Sequence, residues 1–428
     1  MTDARKFYGW KLVLALAFIV SINLGLTFVG ASVINAPMVK DLHLSRGTLG
    51  LGSTVFIIAN GLVAPLAAHL VNAWGARLTL CFGSLLVALG ALLLATWVSQ
   101  GWHFVLTYGL ILGLGNGFGA LIPAQTCVTT WFERRRVLAL SLVLTGTGVG
   151  GLIYAPLMTR VMAAADGNWR AAWCFVLGAG LAAAAISLLF VRNRPGDYGQ
   201  VPDGGFAGSE KGGVSGQAAA RSASTIYRTR ELWTIRQAVR TPALWLISVA
   251  AVGESATSTG GLAHAVPHLR DLGHSAEAAA AAIGAFSICS IAGKLCVGLL
   301  CDRIDPRNAW AACIMTMGLA VWVATRAQST EAMFLFTGLL GFGSGGALAC
   351  WHATVANYFG PAAFASILGA QMPFSNAMSA AGPYLVGLAY DMQGSYTPAF
   401  YALAAFSVFT ALMLLAATPP RLAAIAPG

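Results

Sequence analysis

Apolar residues run along this chain in continuous blocks and do not alternate with polar ones. Twelve blocks lie near 11–35, 47–70, 78–98, 103–128, 137–163, 170–191, 243–265, 276–300, 308–326, 332–356, 364–390 and 397–417. Each is long enough for the ~20 helical residues that cross a hydrocarbon core of about 30 Å. Unbroken apolar runs favour helices over the alternating strands of a barrel. The pattern predicts an all-α membrane protein of twelve transmembrane helices. Two blocks are interrupted by charge, the seventh by Glu254 and the eighth by Lys294. No other acid or base falls well inside any block. A charge there costs roughly 3 kcal/mol on insertion scales, so such residues face a bundle interior or a water-filled path.

Composition agrees with this reading. The 428 residues are 57% hydrophobic and 9% charged, whereas a soluble surface takes about a quarter charged residues. The net charge of +10 suggests a nucleic-acid partner only until its distribution is read. With the N-terminus inside, the loops on that side, such as those bearing Arg134–Arg136 and Arg221–Arg240, hold eighteen of the 25 Lys and Arg. The opposite loops hold six, and Lys294 completes the set. The excess orients the chain with both termini cytoplasmic, in a bacterial inner membrane, with no role for nucleic acid. The eight cysteines lie in or beside apolar blocks without metal-type spacing, so neither a disulfide framework nor a metal is expected. The first block is too long for a cleaved signal and reads as a permanent span.

A repeat sets the domain organisation. "APMVKDLHLS" from Ala36 returns as "VPHLRDLGHS" from Val266, an offset of 230 that also carries Phe56 onto Phe286 and Arg77 onto Arg307. "GLGNG" from Gly113 meets "GFGSG" from Gly341 at an offset of 228. The nearly constant offset predicts two six-helix halves in parallel repeat, 1–191 and 242–428, of the kind that binds substrate near the bilayer midplane. Residues 192–241 separate them. Their glycine-rich start predicts a mobile cytoplasmic linker, and the basic stretch 218–240 reads either as a helix on the inner leaflet or as a solvated tether. Gly109, Gly113 and Gly117, and Gly146 with Gly150, are small-residue rows that let helices approach closely. Pro156 and Pro383 are candidate kinks.

The stretch "GLLCDRIDPR" from Gly298 resembles the Gly-x-x-x-Asp-Arg-x-Gly-Arg loop pattern of the major facilitator superfamily. The resemblance implies a gating role for Asp302, Arg303 and Arg307. The first-half copy, "HLVNAWGAR" from His69, has Asn72 where the acid is expected. Within that superfamily, "YGWKLV" at Tyr8, "WFERRRVLALSLVLTGTGVG" at Trp131 and "GKLCVGLLCD" at Gly293 resemble the monocarboxylate transporters and oxalate–formate antiporters. This implies that Lys294 takes the place of the basic residue that binds the substrate carboxylate. The first helix has no lysine beyond Lys11 at its mouth, and 364–390 has no Lys or Arg. One buried cation suits one carboxylate, which points to a monocarboxylate.

The site expectations follow. Lys294 binds substrate, with His352, Gln125, Asn376 and Asn23 as polar contacts; Glu254 and His264 couple transport to protons. Each has an ordinary structural alternative. Lys294 and Glu254 can pair with one another, the histidines can be hydrogen-bonded struts, and Asn23, Asn116, Gln125, Gln371 and Asn376 can tie helices together. The leading function is a monomeric secondary transporter of a small organic anion, working by alternating access with proton symport or anion exchange. Its partners are a small carboxylate, protons or a counter-anion, and the lipid bilayer. An exporter of cations or drugs centred on Glu254 and a non-transporting membrane sensor are the alternatives. No serine–histidine or metal-ligand set at useful spacing supports an enzyme, and no cofactor is expected.

Overall fold

The structure, a computed structural model, describes residues 7–29, 33–44, 46–204, 226–229, 231–301 and 303–421. Twelve helices cross the membrane: α1 (Gly9–Phe28), α2 (46–74), α3 (76–96), α4 (Gly101–Trp131), α5 (Arg136–Ala164), α6 (Trp169–Phe190), α7 (Pro242–Ala263), α8 (Ala276–Leu300), α9 (Pro306–Ala324), α10 (330–359), α11 (361–393) and α12 (Thr397–Leu415). Eight helical stretches are apolar and long enough on their own. The others are α2, whose second part runs on into α3; α7 and α9, which are less apolar; and one of the pair α10 and α11, which form a single continuous stretch. Both joins turn on one glycine. Gly75 has φ +82° and ψ 164°, and Gly360 has φ +74° and ψ 169°, a region essentially closed to residues with a Cβ.

The chain divides into two compact units, one of Met1–Lys211 with Leu368–Pro373, the other of Gly212–Ile367 with Phe374–Gly428. The sequence repeat has a structural counterpart in each. Asn35–Leu42 and Ala265–Asp271, 230 residues apart, each form a short helix leading to the next span. In the first unit, α4 reaches α2 where Gly113 faces the Phe56 carbonyl and Gly117 faces that of Asn60. In the second unit, α10 reaches α8 where Gly341 faces the Phe286 carbonyl and Gly345 that of Ser290. Backbones meet this closely only where side chains are absent.

Helix ends follow local chemistry. Ser275, Asp305 and Ser329 cap α8, α9 and α10 by accepting from the amides of Ala278, Arg307 and Ala332. Helix α4 breaks at Ala120 (φ −125°, ψ −104°). Pro123, three residues on, has no amide hydrogen for the Gly119 carbonyl. Asn23 Nδ2 donates to that carbonyl at 2.6 Å.

The two described ends of the linker pack on the units, and residues 205–225, in the glycine-rich part expected to be mobile, lie outside the described residues. Residues 195–198 and 202–204 form two tight turns on the first unit: Tyr198 stacks on Tyr8, Gln200 Oε1 accepts from the Tyr8 amide, and Asp203 accepts from the amides of Glu133 and Arg134. At the other end, Ile226 and Trp233 are buried; Trp233 packs edge-on against Phe359, and the Thr229 amide donates to the Asn357 carbonyl. Aromatic anchors outweigh the surrounding polar composition. Of the basic stretch 218–240, the described part is helical only over Ile235–Ala238, too short for a surface helix.

Candidate functional site

In the second unit, α8 carries Lys294 one turn and a half before its end at Leu300, and the side chain is 6% exposed. The adjoining Gly293 places α8 tightly on α10, since a Cβ there would lie 2.2 Å from the Phe342 carbonyl oxygen. Glu254 lies twelve residues into α7, roughly 18 Å from its start at 1.5 Å per residue. It too is 6% exposed. Its Oε2 accepts from Trp310 Nε1 of α9 at 2.7 Å, and the Trp310 ring stacks on Trp351 of α10. The buried Cys313 lies three residues beyond Trp310 on α9, and the buried Cys350 adjoins Trp351 on α10. All eight cysteines are free, with Cys301 and Cys350 Sγ 3.6 Å apart.

The neutral candidates separate into two kinds. His352 on α10 is wholly buried, and among the described residues neither ring nitrogen has a hydrogen-bond partner. Gln125 on α4 is likewise wholly buried, with neither its amide nitrogen nor its oxygen partnered. Such groups are costly to leave unsatisfied, about 1–3 kcal/mol each, which makes them candidates for a ligand's polar atoms. Asn376 on α11 is half-buried, beside the hydrogen bond that joins Ser375 to Ser255 of α7 at 2.5 Å.

Asn23 is of the other kind. Its side-chain nitrogen donates to Ser84 Oγ on α3 as well as to the Gly119 carbonyl, and its backbone carbonyl accepts from Asn116 Nδ2 at 2.6 Å, whereas its side-chain Oδ1 is buried with no hydrogen-bond partner among the described residues. Asn60 of α2 extends the network to Asn116 Oδ1. Both amide hydrogens of Asn23 are therefore spent on the scaffold, with the carbonyl freed by Pro123 as the reason. Asn60, which sequence reasoning missed, lines a small cavity of about 20 Å³ with Asn116, Gly117 and Leu121. A polar amide inside the apolar block 47–70 was the available signal.

His264 is a strut as well. It ends α7, and its Nε2 donates to the Pro383 carbonyl of α11 at 2.8 Å. Arg307 fastens its own unit: the side chain donates to the Ala417 carbonyl beyond α12 at 3.0 Å, and the amide to Asp305 Oδ1. Arg303 is exposed, and Asp302 lies outside the described residues.

The family model for the Major Facilitator Superfamily matches residues 13–262 and again 255–428. Monocarboxylate transporter 13 of Bos taurus is 25% identical over 407 residues, covering 93% of this chain and 87% of that protein. Monocarboxylate transporter 14 of Mus musculus is 31% identical over 177 residues, 41% of this chain, and the match spans only a third of that relative's length (33%). Among solved structures, the E. coli fucose:proton symporter superposes with a TM-score of 0.71 at 14% identity, over 96% of this chain and 100% of that one, a likeness of fold.

Proposed function

We propose a carrier of small organic anions: the chain belongs to the Major Facilitator Superfamily, and Lys294 is the residue that holds the cargo. The observation that carries this reading is an ammonium 6% exposed within a 25-residue apolar helix. A cation retained there at a cost of several kcal/mol supports a role in holding an anion. The monocarboxylate transporters among the relatives support a single carboxylate as the cargo. His352 and Asn376 in the second unit, and Gln125 in the first, offer neutral hydrogen bonds. Asn23 acts indirectly, by holding the broken α4 in place.

The carrier works by alternating access, coupled to proton symport or anion exchange. Glu254 takes up and releases the coupling proton, with His264 as a second proton site. Asp302, Arg303 and Arg307 set the equilibrium between the open states. Two unit charges about 4 Å apart attract by roughly 4 kcal/mol at an effective dielectric of 20, near a thousand-fold in affinity. Equilibrium binding of radiolabelled lactate, pyruvate and formate to purified protein tests the assignment. Lys294→Ala should lose binding by two to three orders of magnitude, and Lys294→Arg should keep weak binding with altered selectivity, because a planar fork replaces a compact ammonium. Wild-type affinity in Lys294→Ala rejects the role. Tight binding of organic cations instead of carboxylates moves the function to an exporter centred on Glu254.

A further inference from the structure

At one end of each unit, the last carbonyls of a peripheral helix need partners once the helix has ended. In the first unit, α3 ends at Ala95 and Val98, whose carbonyls accept from Nη1 and Nη2 of Arg170 at 3.1 and 2.9 Å. In the second unit, the residues 229 positions later, Ala324 and Ala327, end α9. Their carbonyls accept from Nε2 of His268 and Nε2 of His274, each at 2.7 Å. The exchange is reciprocal in the sequence. Arg170 is the second residue of α6, and the second residue of α12 is Pro398. His268 and His274 correspond, at the repeat offset of 230, to Met38 and Leu44, both buried. One guanidinium from the α6 start does in the first unit what two imidazoles from the α7–α8 connection do in the second.

We propose that the α7–α8 connection is a proton-operated clamp on the end of α9, whereas its counterpart on α3 is permanent. Arginine remains charged at any physiological pH; histidine is the side chain whose charge changes there. His268 is 4% exposed, packed edge-on against Phe400 and Tyr396. The charged and titratable groups around it are Asp271 on its own short helix, Tyr396 before α12, and Tyr390 of α11, which reaches it through a hydrogen bond to Asp271. His264 shares the Tyr396 ring. On the α9 side stands Arg326, stacked on Trp322 and next to the Ala327 carbonyl that His274 holds.

Burial pushes the His268 imidazole below its ordinary value, against the Ala324 carbonyl and Asp271, which pull it up. The clamped form therefore prefers neutral His268, donating from Nε2. The sign follows: the contribution to stability is whole above the free value near 6.5 and is lost as pH falls below it. Acid favours the open form by the cost of charging a buried ring, although Nε2–H can still donate, and the Arg170 guanidinium on α3 does not respond.

The two caps control for one another in a single molecule. The experiment is hydrogen–deuterium exchange on the full chain in lipid nanodiscs at pH 7.5 and 5.5, corrected for intrinsic exchange chemistry. A group titrating near 6.5 when free and lower when clamped favours opening by up to about ten-fold over that interval. Amides 322–329 should lose protection by up to that factor, while 93–98 stay unchanged; Ser99, whose amide donates to His103 Nδ1, is left out of the comparison. In the His268→Gln/His274→Gln double variant, which keeps a donor at both carbonyls but titrates at neither, the pH response of 322–329 should vanish. An equal response at both helix ends, no response at 322–329, or a response that persists in the double variant overturns the proposal; the wild-type comparison stands even if the variant fails to fold.

Discussion

One added carbon atom at Gly293 should damage the carrier, whereas the same carbon at Gly284, on the same helix, should not. At Gly293 a Cβ would lie 2.2 Å from the Phe342 carbonyl oxygen, with the Phe342 carbonyl carbon and Cα next nearest. Ordinary contact begins at 3.4 Å, so α8 and α10 must separate by about 1.2 Å, and backbone cannot rotate out of the way. Overpacking of this kind costs about 1–3 kcal/mol. Alanine's helix propensity returns about 0.8–1 kcal/mol of that. The net loss of up to about 2 kcal/mol lowers Tm by up to about 8 °C for a unit of this size. At Gly284 nothing lies within 4 Å, so alanine there contributes only its propensity and raises Tm by about 2–4 °C. The assay is thermal unfolding of both purified variants, followed by counterflow of a radiolabelled carboxylate in liposomes. Gly293→Ala should also lose counterflow, because the displaced segment carries Lys294 as its next residue. Equal Tm for the two variants, or full counterflow in Gly293→Ala, refutes the reasoning.

Two further outcomes concern coupling and gating. Glu254→Gln should keep carboxylate exchange but lose accumulation driven by a pH gradient in proteoliposomes; surviving uphill uptake would move the proton to another group, with His264 the next to test. Asp302→Asn should alter turnover several-fold while equilibrium binding stays within about two-fold, and transport unchanged at every substrate concentration would remove Asp302 from the gate.

The parts legible in the sequence are those set by periodicity and repetition. Twelve apolar blocks became twelve helices because hydrocarbon leaves a continuous apolar run few other ways to satisfy its backbone. The offsets of 230 and 228 reappear as equivalent glycine–carbonyl contacts at Gly113 and Gly341. What escaped reading depends on partners distant in the chain. Trp310 as the donor to Glu254 is 56 residues away, and nothing in its own block marks it. The role of Asn23 follows from Pro123, a proline whose freed carbonyl can be found only once α1 and α4 lie side by side. The anchored ends of the linker were hidden by its composition. Glycine and charge dominate its average, but Tyr198, Ile226 and Trp233 decide where its ends lie.

The glycine corners at Gly75 and Gly360 bear on how motion can travel. A loop of several residues absorbs sliding between the helices it joins by redistributing torsion along its length. A corner of one residue gathers any change of angle between its two helices into a single pair of torsions, and glycine is the residue freest to turn about them. At Gly75 the helices α2 and α3 can therefore change their angle only about one point, and at Gly360 so can α10 and α11. A sliding displacement of one helix would reach the next as rotation about that point. Give must come from places where the backbone is already irregular, such as the wide turns of Ser21–Val29 and Val105–Leu112 and the break at Ala120.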